Sequence, residues 1–207
     1  MTENTEKHIA VVGGTFDPIH NGHVALGLAA LEEVGLDKLI VMPAHIQPFK
    51  QHRKIAQDKH RLTMAKLAFE GREGVEVSDF ELVKGDISYS YDTMSHLKTL
   101  YPYDDLYFVM GTDSFLKVDR WYKGESLLEE FSFIVSSRPG YPEKVLESKI
   151  RFIAEDYGTE IIRLKTKMPE ISSTEIRDAA LFGESISHLV PKAVEEYIYK
   201  NGLYDED

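Results

Sequence analysis

Apolar residues in this chain fall into two alternating rhythms. The first is the short continuous run. Ile9-Ala10-Val11-Val12, Leu39-Ile40-Val41-Met42, Leu106 to Met110 and Phe131 to Val135 are of this kind. Each is rich in branched or aromatic residues and stops at Gly or Pro, which predicts buried strands. Val75-Glu76-Val77 and Glu160 to Leu164 predict two more. The second rhythm is helical and fills the gaps. From Gly22 onward Val24, Leu28 and Leu31 share one face, and Gly35 is a left-handed stop. Asp58 is placed to cap a helix carrying Leu62, Ala65 and Phe69. Tyr91 to Tyr101 reads as helix, as do residues 142–157 with Val145, Ile150 and Ile153. Two helices follow, one from about Thr174 and one after Pro191, which suits the first helical position. Residues 43–57 read as a long loop, and their length and cations suit a lid.

Continuous apolar strands alternating with helices predict an α/β fold: a Rossmann-like, doubly wound, mostly parallel sheet with helices on both faces. At 207 residues the chain suits one domain spanning 1–207, with a C-terminal helical segment of about 172–204 packed on it. Ligands of such sheets sit where the strand order reverses, beyond the carboxyl ends of the strands. The residues just after each strand are therefore where chemistry is expected.

Composition narrows the chemistry. There is no Cys, which removes disulfides, thiolate-held metals and a thiolate nucleophile. The net charge of -11 disfavours binding to nucleic acid or an anionic membrane, though not to a small phosphorylated ligand. No apolar run approaches the roughly 20 residues of a membrane helix, and Met1 to Lys7 lacks the apolar core of a signal peptide. A cytoplasmic protein is expected.

The loop after the first strand is Gly13-Gly14-Thr15-Phe16-Asp17-Pro18-Ile19-His20-Asn21-Gly22-His23. Gly13 and Gly14 allow backbone N–H groups close to a ligand, and Gly22 lets a bulky ligand pass. His20 and His23, three apart as a helix begins, can turn both rings to one side. The helix start adds unpaired N–H groups and a positive dipole end. The loop lacks the Gly-Lys-Ser/Thr of a Walker A motif and is not Gly-x-Gly-x-x-Gly. Alone, His-x-x-His would read as two surface histidines. Between a strand and a helix it reads as a phosphate site. Further along, Ser172, Ser173 or Thr174 can cap a helix with Glu175 in its first turn, and Arg177 then offers a bidentate fork for phosphate. Lys50 lies in a stretch with Arg53, Lys54, Lys59 and Arg61 against Asp58, which by itself reads as a solvated basic loop. His8, His45, His52, His60, His96 and His188 have no motif around them and read as structural or solvated.

The first loop resembles the signature of the His-x-Gly-His nucleotidyltransferase superfamily, and within it the bacterial nicotinate mononucleotide adenylyltransferases. Ser88-Tyr89-Ser90-Tyr91-Asp92-Thr93, Gly111-Thr112-Asp113-Ser114 followed by Trp121, Ile171 to Arg177, and Leu189 through Tyr204 resemble further segments of that family. The resemblance implies adenylyl transfer from ATP to nicotinate mononucleotide, giving deamido-NAD and pyrophosphate; Mg²⁺ is expected to accompany ATP, held by phosphate and water more than by protein, and no protein ligand is named for it. It implies that His20, His23, Lys50 and Arg177 are catalytic. It assigns Gly13, Gly14, Thr15, Phe16, Ser173 and Thr174 to nucleotide binding and Gly111 and Asp113 to the adenosine side. Trp121 would stack on the nicotinate ring and Ser90 bond its carboxylate. The family's phosphate Lys follows Pro-Pro-His; here the segment is Gln47-Pro48-Phe49-Lys50. Asp92, at a helix start, reads as a cap. Alternatives are a related nucleotidyltransferase using nicotinamide mononucleotide or another phosphorylated acceptor, an ATP-sensing module without turnover, and an interaction protein. Oligomeric state, monomer or homodimer, is left open.

Overall fold

The first apolar run forms β1 (His8–Gly14), and the second forms β2 (Lys38–Pro43), aligned in parallel beside it. The computed structural model describes residues 6–48, 55–137 and 140–205. The remaining strands are β3 (Val75–Val77), β4 (Asp105–Gly111), β5 (Ser132–Ser136) and β6 (Ile161–Arg163). Every pairing is parallel, and the order across the sheet is β3-β2-β1-β4-β5-β6. The chain thus runs outward from β1 to β3, then returns to β4 on the other side of β1. The crevice between the carboxyl ends of β1 and β4 is the switch point of this doubly wound sheet.

Both faces of the sheet are covered, which explains why the strand runs are apolar at successive positions. Ala10, Val12, Leu39, Val41, Val109 and Ile134 meet one helical layer. It comprises α1 (Asn21–Val34), α2 (Asp58–Ala68), α8 (Ser173–Leu181) and α9 (Lys192–Lys200). Ile9, Val11, Ile40, Met42, Phe108, Met110, Phe133 and Val135 meet the other. That layer comprises α4 (Ser90–Leu100), α5 (Thr112–Phe115), α6 (Gly124–Glu130) and α7 (Glu143–Tyr157). Burying each such Val, Leu or Ile contributes about 1.5–3 kcal/mol. Intrinsic strand preferences span only about 1 kcal/mol. Burial, not local preference, therefore sets the strand register.

The helix stops are as the sequence suggests in one case and not in others. Gly35 ends α1 at φ 72°, in the left-handed region. Gln57 rather than Asp58 occupies the N-cap of α2, because the Asp58 carboxylate is bonded to Arg61 and His45 instead. Pro191 is the N-cap of α9, one position before the first helical residue. In α7 the buried stripe runs through Leu146 and Ile153, and Val145 is 46% exposed. The short helices α3 (Phe80–Lys84), α5 and α6 were not legible from periodicity, being four to seven residues long. Among the described residues no helix is long and apolar enough to cross a membrane.

One residue of the expected basic loop is not solvated at all. Arg61 is 0% exposed. Its Nη1 donates to the carbonyls of Thr15 and Ala44, both at 2.6 Å, and its Nε to that of Ala56 at 3.1 Å. Nη2 donates to the His45 carbonyl at 3.3 Å and to the Asp58 carboxylate. The planar guanidinium can serve several directions at once, which the point charge of Lys cannot. Thr15 and Ala44 follow neighbouring strands, so Arg61 fastens together the loops at the rim of the sheet. Arg61→Met would strand those carbonyls and the Asp58 charge. It is expected to lower the unfolding free energy by about 3–5 kcal/mol in urea titration. A change below about 1 kcal/mol would show that water replaces the guanidinium without penalty.

Candidate active site

Beyond Gly14 the chain makes an abrupt turn. Phe16 has φ 51° and the Asp17-Pro18 peptide is cis. The Phe16 ring folds back over Gly14, where a Cβ would stand 2.7 Å from it, so only glycine fits there. The turn delivers His20 to the N-cap of α1 and His23 to its first turn. The two rings stack at 3.7 Å between centroids and 25° between planes, and Phe16 meets His23 edge-on at 5.0 Å. The backbone N–H of His20 donates to His23 Nδ1 at 3.3 Å. In neutral His23 the ring proton then sits on Nε2, the nitrogen a ligand would meet as a donor. The space expected beside Gly22 is taken by the His20 ring, whose Nδ1 would lie 3.0 Å from a Cβ at that position. The glycine therefore serves the histidine stack. The first turn of α1 carries no carboxylate, so its dipole end is not neutralised locally.

The second helix N-terminus lies against the same loop. Its three hydroxyls have separate tasks. Ser172 is the N-cap, accepting from the Glu175 N–H at 3.2 Å. Ser173 donates to the Pro18 carbonyl at 3.0 Å, and Thr174 accepts from Arg177 Nη2 at 3.2 Å. Arg177 Nη1 donates to the Asp17 carbonyl at 2.6 Å and lies 3.7 Å from the Asp17 carboxylate. A cavity of about 570 Å³ opens at the switch point between β1 and β4. Gly13, Gly14, Thr15, Phe16, His20 and His23 line it on the α1 side; Ser173, Thr174 and Arg177 line it on the α8 side. The imidazoles near residue 20 and the guanidinium near residue 177 therefore share one pocket. Lys50 and the rest of the segment 49–54 lie outside the described residues.

The far end of the cavity is aromatic. Gly111 ends β4 and is the N-cap of α5, and Asp113 lines the cavity one residue into the helix. Trp121 stands edge-on to Phe108 at 6.2 Å, and Tyr89 pairs with Tyr122 at 4.3 Å. Ser90, Trp121 and both tyrosines line this end. Asp92 does not cap α4, whose N-cap is Tyr89; it pairs with Lys84 at 3.4 Å. Ser88 and Ile46 join this end to the segment after β2: the His45 N–H donates to Ser88 Oγ at 3.0 Å and the Ser88 N–H to the Ile46 carbonyl at 2.9 Å. The cavity thus offers cationic and N–H donors at one end and a flat apolar slot at the other. That arrangement suits a phosphorylated ligand carrying an aromatic ring. Among the described residues no group of three or more His, Asp or Glu side chains is placed to hold a metal ion.

Comparison with known proteins follows the same line. The cytidylyltransferase-like family model matches residues 11–179. The protein named probable nicotinate-nucleotide adenylyltransferase of Clostridium tetani is 38% identical over 96% of this chain and 99% of its own length. The protein of the same name from Carboxydothermus hydrogenoformans is 37% identical over 95% and 97%. Among solved structures, Plasmodium falciparum nicotinic acid mononucleotide adenylyltransferase complexed with NaAD shares the fold with a TM-score of 0.79. It is 22% identical and covers 98% of this chain and 99% of its own.

The motifs did not point to Glu81. It sits in α3, lines the cavity beside Ser88 to Ser90, and is buried. Its Oε1 accepts from Thr93 Oγ1 at 2.6 Å. The only sequence signal was an acid amid apolar neighbours in Phe80 to Val83. Burial pushes its carboxyl above the usual range, while bonds from Thr93 and Ser88 work against that. A raised folded-state value means that the native state holds its proton to higher pH than the unfolded chain. Stability from this group is then present below the ordinary carboxylate value and falls as pH rises through that value towards the folded one. Glu81→Gln cannot ionise. Wild type is expected to lose stability relative to this variant in urea unfolding as pH rises from about 4 to 7. A constant difference across that range would show that the carboxyl is not perturbed.

Proposed function

The chain belongs to the nicotinate-nucleotide adenylyltransferases of the cytidylyltransferase-like family, and we propose that it joins the AMP moiety of ATP to nicotinate mononucleotide, yielding deamido-NAD and pyrophosphate. Near-complete coverage of relatives bearing that name supports the reading. The observation that carries it at the level of chemistry is the convergence of His20, His23 and Arg177 on one cavity with two helix N-termini.

The reaction is an in-line displacement. A phosphate oxygen of the mononucleotide attacks the α-phosphorus of ATP, a new P–O bond forms, and the bond to the β-phosphate oxygen breaks as pyrophosphate leaves. No covalent intermediate on the protein is needed. Catalysis then rests on holding two polyanions in line and stabilising charge that moves onto the leaving group. His20 and His23 are assigned to the α-phosphate and its bridging oxygen, where Nε2–H of His23 is already set by the backbone bond to Nδ1. Arg177, with Thr174 and the N–H groups of α8, is assigned to the leaving phosphates, and Lys50 is assigned there as well. Mg²⁺, carried on the triphosphate, neutralises charge when bound. The donor set fits a metal brought in on the nucleotide: among the described residues no group of three or more His, Asp or Glu side chains is placed to hold one, and Asp17 Oδ1 already accepts from Tyr204 and the Ala56 N–H. Trp121 is assigned to the nicotinate ring, Ser90 to its carboxylate and Asp113 to the adenosine ribose.

The test is pyrophosphate release from ATP plus nicotinate mononucleotide. His20→Ala is expected to lower kcat by about 10²–10³-fold, with an unchanged thermal midpoint. Unchanged turnover would remove His20 from the chemistry. In the same assay an equal or greater kcat/KM with nicotinamide mononucleotide would overturn the choice of the acid as acceptor.

A further inference from the structure

The phosphate end of the cavity is tied to a residue far along the chain that no part of the mechanism uses. Tyr204 lies past α9, in the left-handed region at φ 71°. For a bulky residue this conformation is strained and persists only where surrounding contacts impose it. Its ring packs against the core on the face covered by α1, α2, α8 and α9, and its hydroxyl donates to Asp17 Oδ1 at 2.8 Å. The same oxygen accepts from the Ala56 N–H at 3.1 Å. Asp17 is 3% exposed. Its other oxygen, Oδ2, has no hydrogen-bond donor in reach among the described residues; the nearest cation is Arg177 Nη1, 3.7 Å away.

That last distance matters. A buried Arg and Asp side by side would ordinarily close into two parallel N–H···O bonds. Here they do not. Arg177 Nη1 donates to the Asp17 backbone carbonyl, and the carboxylate is turned so that Oδ1 faces Tyr204 and Ala56. A guanidinium closed on a carboxylate has its charge and its fork spent. One held by a carbonyl keeps its charge for an incoming phosphate. Burial and the neighbouring Asp17 push the Tyr204 phenol well above its ordinary value, so it stays a donor throughout the working range.

The geometry points to Tyr204 as a positioning residue for adenylyl transfer: by holding Asp17 Oδ1 it keeps the carboxylate from closing on Arg177, and so keeps that guanidinium available to the ATP phosphates. The inference rests on the assignment of Arg177 to those phosphates. Tyr204 is not among the residues that line the cavity and acts through Asp17.

Tyr204→Phe keeps the ring and removes the hydroxyl. Losing one bond to a buried charge is expected to raise KM for ATP roughly tenfold, with KM for nicotinate mononucleotide unchanged. In an Asp17→Asn background, where no carboxylate can capture Arg177, Tyr204→Phe is expected to have no further effect on KM for ATP. Should Asp17→Asn not fold, Arg177→Lys, which cannot form the bidentate pair, serves as the background. Equal effects of Tyr204→Phe on both substrates, or a full tenfold effect in either background, would overturn the inference and leave Tyr204 a packing residue. Equilibrium ATP binding by wild type and Tyr204→Phe separates this failure from failure of the proposed reaction. ATP affinity that drops in the variant, with no turnover by wild type, keeps the latch and removes the reaction. No ATP binding by wild type removes both.

Discussion

The site depends on how a turn of four residues is held. Thr15 to Pro18 must leave β1, reverse and start α1, with a left-handed Phe16 and a cis peptide on the way. Such a turn cannot satisfy its own carbonyls, and it is too buried for water to do so. Three side chains from distant elements take up the task. Arg61 of α2 donates to Thr15, Arg177 of α8 to Asp17, and Ser173 of α8 to Pro18. Unmet, each carbonyl would cost about 1–3 kcal/mol. The histidine stack is therefore positioned by residues 46 to 160 places away in sequence, and the rim of the sheet behaves as one polar unit.

Electrostatics within that unit run against the charge of the molecule. The chain carries -11 overall, yet the end of its cavity between α1 and α8 presents two imidazoles, a guanidinium and two helix N-termini. Asp17, the carboxylate of the turn beside them, gives its Oδ1 to a phenol and a backbone N–H. A local positive end on an acidic protein repels polyanions in general while admitting a ligand small enough to enter the cavity. Selection by size and by charge then act together, which a uniformly basic surface could not achieve.

What the sequence revealed follows from how local each signal is. The strands were legible because a parallel strand buried on both faces must be apolar at consecutive positions, as in Ile9 to Val12 and Leu39 to Met42. The strand order was not, since it depends on pairings between distant segments. The His20–His23 pair and the capped start of α8 were legible because each is a short motif with a fixed spacing. Arg61 was misread as solvated, because its charge pattern resembles a basic loop and its carbonyl partners lie elsewhere in the chain. Asp58 was misread as a cap for the same reason: a carboxylate one position from a helix start has a local use, but Arg61 and His45 offer a better one. Glu81 was invisible, since a lone acid in a five-residue helix acquires meaning only from what it touches; Tyr204 falls in a segment that resembles the family, but its bond to Asp17, 187 positions away, has no local signal.

The departure of residues 47–50 from the family's Pro-Pro-His-Lys pattern also takes a physical form. Gln47 stands where that pattern has its first proline, and its Oε1 accepts from Thr15 Oγ1 at 2.8 Å. A proline would stiffen the segment after β2 by fixing its own φ, without reference to any neighbour. Glutamine leaves φ free and ties the segment instead to the turn that carries the histidines. The Gly14 carbonyl, accepting from the Ala44 N–H at 2.8 Å, makes a second tie between the same two stretches. Gln47 and Ala44 are thus tied to the turn that carries the histidines, whereas a proline at position 47 would fix its own φ independently of that turn. The clamp on that turn by Arg61, Ser173 and Arg177 thus reaches further in this chain than the motif alone implies: it bears on Gln47 and the segment after β2 as well as on the imidazoles.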